Sequence, residues 1–153
     1  MADSDGPDWI ADSQPCRACP LRSDPAARLA AVRRLPTELL PVAMADPDPE
    51  VRREVARLIG GDWLAAMAWD RDAGVRRIVA GRLRPEQLTV LAGDSDPRVR
   101  AEVAGRALPS ALFRLIEDDA EDVQRVARLR LGLGPHPGRR AAGLAQRARR
   151  HLM

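Results

Sequence analysis

Four valines recur at a constant interval of 24 residues, at Val51, Val75, Val99 and Val123. Two rows of aspartates and one row of leucines keep the same interval: Asp46, Asp70, Asp94 and Asp118; Asp24, Asp48, Asp72 and Asp96; Leu40, Leu64, Leu88 and Leu112. A period of this length is typical of repeat proteins, in which each unit stacks on the next because it cannot bury its apolar face alone. We therefore expect a repeat scaffold, with any chemistry lying outside the repeats.

The composition favours helices around an aliphatic core. Hydrophobic residues make up 45% of the 153 residues, but aromatic residues make up only 3%, so Val, Leu and Ala must fill the interior. Abundant Ala and Leu favour helix over strand. No stretch alternates between apolar and polar residues, and we expect an all-α solenoid without a sheet.

The repeats occupy the middle of the chain. Residues 1–23, which include three prolines and one glycine, are predicted to be an irregular segment that contains both cysteines. The repeats run over residues 24–131, in windows 24–47, 48–71, 72–95 and 96–119 and a partial window 120–131. Residues 132–138 are rich in Gly and Pro and form a linker, and residues 139–153 are predicted to form a short basic helix.

Each repeat begins with a recognisable helix start. Asp-Pro pairs at Asp96-Pro97, Asp48-Pro49 and Asp24-Pro25 combine a capping carboxylate with a proline in the first turn. Helical spacing then predicts three inward faces: Val51, Val55 and Leu58; Val75, Val79 and Leu83; Val99, Val103 and Ala107. A repeat of this length leaves room only for a short second element after the first helix, at Leu64–Met67, Leu88–Leu91 and Leu112–Leu115, which suits a 3₁₀ or very short α segment.

The repeat resembles that of the leucine-rich repeat variant proteins. The pattern is visible as Asp96-Pro-Arg-Val-Arg-Ala-Glu-Val-Ala104, followed by Leu108-Pro109, Leu112, Leu115 and Asp118. The resemblance covers about residues 24–131 and implies alternating α and 3₁₀ helices in a right-handed superhelix of four to five repeats. A HEAT-like array is the looser alternative, since its usual repeat is longer.

The sequence Pro15-Cys16-Arg17-Ala18-Cys19-Pro20 is the candidate metal site. Two thiolates in Cys-x-x-Cys spacing can chelate a metal, and a proline after the last cysteine is common in iron–sulfur motifs. Some leucine-rich repeat variant proteins carry an N-terminal [4Fe–4S] domain, and the resemblance implies that Cys16 and Cys19 are part of one. A cluster needs four ligands, and this chain has only two cysteines. Two chains could share a cluster as a homodimer, the cluster could have been lost, or the pair could bind Zn²⁺ with other ligands.

The Asp row 46, 70, 94 and 118 and the Arg row 28, 52, 76 and 100 are predicted to lie side by side in stacked repeats. A row of carboxylates could hold a cation or a basic partner, and Arg52, Arg76 and Arg100 are candidate partner-binding residues. The structural alternative is that the two rows pair as exposed salt bridges, each contributing about 0–1 kcal/mol. In that case Asp94→Ala would mainly lower stability.

Trp63 and Trp69 interrupt two repeat positions, the first held elsewhere by Leu39, Gln87 and Ala111 and the second by Ala45, Gly93 and Glu117. Tryptophan is enriched at binding hot spots, so both are candidate partner-binding residues. The alternative is that Trp63 fills a gap in the core and Trp69 lies half exposed.

The tail contributes the net positive charge of the chain. All 22 acidic residues precede residue 131, whereas the tail carries five arginines and no acid: Arg139, Arg140, Arg147, Arg149 and Arg150. These residues are candidates for polyanion binding. The repeats themselves have no basic excess, so nucleic acid is a weaker hypothesis than a protein partner. The structural alternative for the tail is a C-terminal helix that caps the last repeat and exposes its arginines to solvent.

These features predict a cytoplasmic adaptor rather than an enzyme. Residues 1–8 are acidic without an apolar stretch, which argues against a secretory signal, and no apolar run approaches the roughly 20 residues of a membrane span. The two histidines lie near the C-terminus and the acidic residues follow the repeat, so no catalytic constellation is apparent. We expect a scaffold that binds a protein partner, with a shared iron–sulfur or metal site and a nucleic-acid-binding tail as alternatives.

Overall fold

The computed structural model describes residues 24–134. Within this range the backbone forms α-helices and 3₁₀ helices and no strand, so the predicted all-α repeat class is confirmed. The chain divides into two compact units after Leu58. In both units, a helix that begins after an Asp-containing loop is followed by a shorter helical segment and the next loop.

The first unit contains α1 (Pro25–Val32), a 3₁₀ helix (Thr37–Ala43) and α2 (Pro49–Leu58). Helix α2 packs against both α1 and the 3₁₀ helix. The interior between these three elements consists of aliphatic side chains that are at most 3% exposed: Val32, Leu40, Val51 and Val55.

The second unit continues the same alternation. Its elements are, in chain order, α3 (Gly61–Ala66), a 3₁₀ helix (Met67–Trp69), α4 (Ala73–Arg82), a 3₁₀ helix (Pro85–Leu91), α5 (Pro97–Arg106), α6 (Pro109–Leu112) and α7 (Glu121–Arg130). Helix α5 packs between α4 and α7, and the two 3₁₀ helices pack against α4 and α5 respectively. The longer helices therefore form one layer of this unit, and the shorter segments form a second layer behind them.

The aspartate rows explain where the longer helices begin. The Asp48 and Asp96 carboxylates accept hydrogen bonds at 2.7 Å from the backbone N–H groups of Glu50 and Arg98. Asp72 caps α4 in the same way, by accepting from Val75 at 3.0 Å. Such bonds satisfy donors that the first turn of a helix leaves without an intrahelical partner. Asp24 precedes α1 without a side-chain capping bond, so the predicted cap is wrong for the first repeat.

The valine row forms the centre of the core. Val75, Val79, Val99 and Val103 are all 0% exposed, as the helical spacing predicts. The prediction that Leu58 faces inward is wrong, because Leu58 is the last residue of α2 and is 41% exposed. Ile59 is buried instead, and it lies one 24-residue interval before the buried Leu83.

The short elements begin earlier than expected. The predicted segment Leu88–Leu91 forms the C-terminal half of a 3₁₀ helix that starts at Pro85. The segment beginning at Leu64 lies within α3, which changes to 3₁₀ geometry at Met67. The segment Leu112–Leu115 overlaps only the last residue of α6.

We predict that Leu88→Ala lowers the free energy of unfolding by about 2–5 kcal/mol. Leu88 is fully buried in the 3₁₀ helix Pro85–Leu91, which packs against α5, so its truncation opens a cavity. Leu129→Ala is the matched control, since Leu129 is 75% exposed and should change stability by less than about 0.5 kcal/mol. Urea denaturation followed by circular dichroism measures both. Equal losses in the two variants would contradict the assignment of Leu88 to the core.

Candidate functional site

Bidentate ion pairs join the arginine and aspartate rows. Three of these loop ion pairs, as we call them, are seen: Arg28–Asp46, Arg76–Asp94 and Arg100–Asp118. In each pair, the arginine Nε donates to Oδ2 at 2.7–2.8 Å and Nη2 donates to Oδ1 at 2.8–3.1 Å. The arginine lies in a longer helix, and the aspartate lies in the loop that follows that repeat. This fork geometry holds the guanidinium plane in one orientation.

The same arginines also bind the loop that precedes their own helix. Nη1 of Arg76 donates to the carbonyl oxygen of Asp70, and Nη1 of Arg100 donates to that of Asp94, both at 2.8 Å. Arg52 makes the equivalent bond to Asp46, also at 2.8 Å. Each arginine of the second unit's pairs therefore connects two successive loops, and all three candidate partner-binding arginines, Arg52, Arg76 and Arg100, are engaged by the chain's own loops.

The aspartates complete the arrangement by ordering their own loops. Oδ1 of each accepts a hydrogen bond at 2.8 Å from the backbone N–H two residues later, at Asp48, Asp72, Asp96 and Ala120. The aspartate side chains of the three loop ion pairs are only 4–5% exposed and the arginine side chains 10–13%. The expectation of exposed salt bridges is therefore wrong. Arginine and backbone N–H groups occupy both oxygens of these carboxylates.

Pairing also sets the protonation of these carboxyl groups. Burial alone would raise the pKa of Asp94, but the hydrogen bonds from Arg76 and the Asp96 N–H, together with the nearby positive charge, lower it below the ordinary value. The pKa values of Asp46 and Asp118 are lowered in the same way against the same effect of burial. The aspartates of the loop ion pairs are therefore ionised throughout the neutral range.

A second arginine row, which the sequence reasoning missed, lies at the ends of the longer helices. Arg106 donates to the carbonyl oxygens of Ala80 and Leu83, where α4 ends. Arg130 binds the end of α5 through Ala104 and Ala107 in the same manner. Arg82, which bonds to Ile59, is the third member of the row. The 24-residue interval between these three arginines was a signal that could have revealed the row.

Both predicted tryptophans lie on the surface of the shorter segment that runs from α3 into the first 3₁₀ helix of the second unit. Trp63 is 57% exposed and Trp69 is 76% exposed, so the alternative in which Trp63 fills a core gap is wrong. Ala66, between them, is also exposed, whereas Leu64 and Met67 are buried. We call the surface formed by Trp63, Ala66 and Trp69 the Trp ridge.

Further exposed apolar side chains lie on the layer that carries the Trp ridge. Val90, in the next 3₁₀ helix, is 51% exposed, and Phe113, directly after α6, is 64% exposed. Val90 occupies the repeat position of Ala66, one 24-residue interval further along. Exposed apolar side chains thus occur separately on the shorter segments of three successive repeats.

An open groove of about 410 Å³ lies on the other layer, between the N-terminal turns of α5 and α7. Small and apolar residues mix there with charged ones, and its Arg125 pairs with Asp122 of the same helix. Across residues 24–134, no group of three or more His, Cys, Asp or Glu side chains could hold a metal ion. The helices described for this range include none long and apolar enough to cross a membrane.

The remaining predicted sites lie outside the described residues. These are the candidate metal ligands Cys16 and Cys19 and the candidate polyanion-binding residues Arg139, Arg140, Arg147, Arg149 and Arg150. They remain predictions from the sequence.

Comparison with known proteins supports the repeat resemblance. One solved structure, described as a leucine-rich repeat variant with a novel repetitive protein structural motif, aligns with a TM-score of 0.65 and 34% sequence identity. The chain is similar to a leucine-rich repeat variant. The alignment covers 69% of this chain, which spans 45% of the length of that protein. No protein-family model and no curated protein matches the chain.

We predict that Asp94→Ala lowers the free energy of unfolding by about 3 kcal/mol, because Arg76 is left nearly buried without its counter-charge. Asp122→Ala removes an exposed partner of an exposed arginine and should cost less than about 1 kcal/mol. Urea denaturation at neutral pH compares the two variants. Equal small losses would show that the loop ion pairs behave like surface pairs.

The lowered pKa values also predict an acid-labile fold. A carboxyl group whose pKa is lower in the folded state stabilises the protein above its unfolded pKa, which is about 3.9 for Asp, and this stabilisation is lost as the pH falls through the folded pKa. The urea midpoint should therefore be nearly constant from about pH 6 to 7 and should fall progressively below about pH 5. Asp94→Ala should show a smaller fall than the wild type, and an identical fall would contradict the contribution of Asp94.

Proposed function

We propose that this protein is a non-catalytic helical repeat scaffold that binds a protein partner through the Trp ridge. The observation that carries the proposal is the exposure of Trp63 and Trp69 on one short segment. The chain has only three tryptophans, and two of them are largely accessible to water here. Large aromatic side chains dominate the energetics of protein interfaces when a partner covers them.

The composition of the surface around the ridge supports this proposal. Single exposed apolar residues are common on soluble proteins, but contiguous apolar patches mark interaction sites. The Trp ridge continues towards Val90 on the same layer, while the buried face of the segment holds it against α4 through residues such as Met67 and Ala68. The tryptophans are thus displayed on a packed element and do not rest on an unsupported loop.

The loop ion pairs suit a scaffold of this kind. Arg76 binds Asp70 in the loop before α4 and Asp94 in the loop after the following 3₁₀ helix. It therefore holds both ends of this repeat. A surface that is already ordered loses little conformational entropy when it binds, which favours affinity. The arginine and aspartate rows contribute to binding by positioning the surface, without contacting the partner.

The similarity to a leucine-rich repeat variant agrees with a scaffold, because repeat arrays present extended surfaces to partners. The arginines and aspartates of the loop ion pairs follow the repeat and bind one another, so they serve the packing of the repeats. We therefore propose partner binding as the activity of this part of the chain.

We predict that Trp63→Ala and Trp69→Ala abolish capture of the partner without lowering the melting temperature, because both side chains are exposed. Phe113→Ala is the matched control, since it removes an exposed aromatic residue from the same layer at a distance of two repeats in sequence. Each full-length variant is immobilised, incubated with lysate of the source cells, and analysed by mass spectrometry. Captured proteins are then purified and their affinities measured by calorimetry.

The proposal requires a purified partner that binds the wild type and Phe113→Ala with equal affinity and the tryptophan variants at least about tenfold more weakly, the scale of an interface hot spot. A partner whose affinity is unchanged in both tryptophan variants would show that the chain binds elsewhere.

A further inference from the structure

One loop position beside the loop ion pairs differs in every repeat. It directly follows the aspartate row and is held by Pro47, Arg71, Ser95 and Asp119. In the last of these loops the side chain adds a second ion pair, because Nη2 of Arg100 donates to Asp118 at 2.9 Å and also to the carboxylate of Asp119. The Asp119 side chain is 90% exposed, whereas that of Arg100 is 11% exposed. An acidic group at this position therefore reaches the guanidinium from the side of the solvent.

Ser95 occupies the same place beside Arg76. Nη2 of Arg76 donates to Asp94 at 2.8 Å and to the Ser95 hydroxyl oxygen at 3.4 Å. The second distance is longer than that of an ordinary N–H···O hydrogen bond, so the hydroxyl contributes a weak contact. Ser95 is also exposed. An accessible hydroxyl group thus lies where the next repeat has a carboxylate paired with arginine.

Two carboxylates flank Ser95 and would repel a negative group there. Asp94 is compensated by its bidentate pair with Arg76. Asp96 accepts a hydrogen bond from a backbone N–H in the first turn of α5. The following loop already places two adjacent acidic side chains on one arginine. This arrangement shows that the loop accommodates a second negative group next to the paired aspartate.

The surroundings of Ser95 also contain positive groups that would attract such a charge. Arg76 lies beside the hydroxyl, and Nη1 of Arg100 donates to the backbone carbonyl oxygen of Ser95 at 3.4 Å. Helix α5 begins two residues after Ser95, so the positive end of its dipole is close. The equivalent positions one interval away are the exposed Arg71 on one side and Asp119 on the other, whose charges oppose each other. A phosphate near a helix N-terminus and opposite arginine forms charge-assisted hydrogen bonds.

We propose that Ser95 is a phosphorylation site, modified by a protein kinase that uses a nucleoside triphosphate. The Ser95 oxygen attacks the γ-phosphorus, the bond from that phosphorus to the bridging oxygen breaks, the hydroxyl proton is released and the nucleoside diphosphate leaves. The phosphate oxygens then accept from Nη2 of Arg76, as Asp119 accepts from Arg100. The modification strengthens the contact between the loops that Arg76 joins. It goes beyond the proposed function and does not depend on it.

The first experiment maps phosphate on the full-length protein. The protein is purified from growing and from starved source cells in the presence of phosphatase inhibitors, and its peptides are sequenced by mass spectrometry. We expect phosphate on Ser95 and none on Thr89 or Ser110, two exposed hydroxyl groups of the same unit that do not follow the aspartate row. Recovery of the Ser95 peptide in unmodified form only would overturn the proposal, as would equal phosphorylation of the three residues.

The second experiment tests the contact with Arg76 directly. Phosphoserine is incorporated during synthesis at position 95 or, as the matched control, at position 110 of the full chain, and each phosphate is titrated by phosphorus NMR. The second pKa of phosphoserine is ordinarily about 6. Pairing with arginine favours the dianion, so the pKa at position 95 should be lower than at position 110 by roughly 0.5 or more, and the difference should vanish in urea. Equal pKa values in the folded proteins would show that the phosphate does not pair with Arg76.

Exchange of the two loop residues gives a third measurement. Ser95→Asp should raise the urea midpoint and Asp119→Ser should lower it, because each change adds or removes one carboxylate beside a paired arginine, and both shifts should shrink at high salt. Thr89→Asp is the control and should not raise the midpoint. A lower midpoint for Ser95→Asp would mean that Asp94 and Asp96 exclude a further charge, which contradicts the inference. A raised midpoint together with an unmodified Ser95 peptide would show a position that accepts charge without being a modification site, and the proposal would fail.

Discussion

The constraint on which the structure depends is the burial of charged groups in the loops. Moving an arginine and a carboxylate out of water is costly unless each retains hydrogen-bond partners. Arg76 meets this requirement by binding both oxygens of Asp94 and the carbonyl oxygen of Asp70. Asp94 in turn accepts from the N–H of Asp96. One side-chain pair thus satisfies polar groups of two loops and connects successive repeats within the part of the chain that the structure describes.

This constraint determines where variation, and hence function, can occur. The positions that bind loops and those that fill the core recur every 24 residues, because equivalent helices such as α4, α5 and α7 pack on one another. The position held by Leu39, Trp63, Gln87 and Ala111 differs in every repeat, and it is exposed at Leu39 and Trp63 but buried at Ala111. Large aromatic side chains can therefore be placed at one point of the array without disturbing its packing. The Trp ridge is such a point, because Trp63 and Trp69 are exposed and are not part of the core.

The sequence was sufficient to predict the class of fold, because the Asp-Pro helix starts and the valine row are local or strictly periodic features. It could not predict burial of the loop ion pairs, since periodicity identifies equivalent positions without saying whether they face water or a neighbour. The same limit explains the error at Trp63. The assignment of Leu58 to the core failed for a different reason. Leu58 fits the helical spacing from Val55, but the residue that lies 24 positions before the buried Leu83 is Ile59. The helix-end arginines were overlooked because arginine there also suits an exposed face.

The end of the arginine row shows that the two members of a loop ion pair form one unit. The fifth position of the row is Gln124 on α7, and the position that would supply its carboxylate partner is Ala142 in the sequence. Gln124 is 5% exposed, so an arginine there would bury a charge without the carboxylate that the other repeats provide. A neutral amide avoids that cost, and no buried side-chain nitrogen or oxygen in the described part of the chain lacks a hydrogen-bond partner. Arginine and aspartate are thus absent together where the pairing stops, as expected if neither is stable in this environment alone.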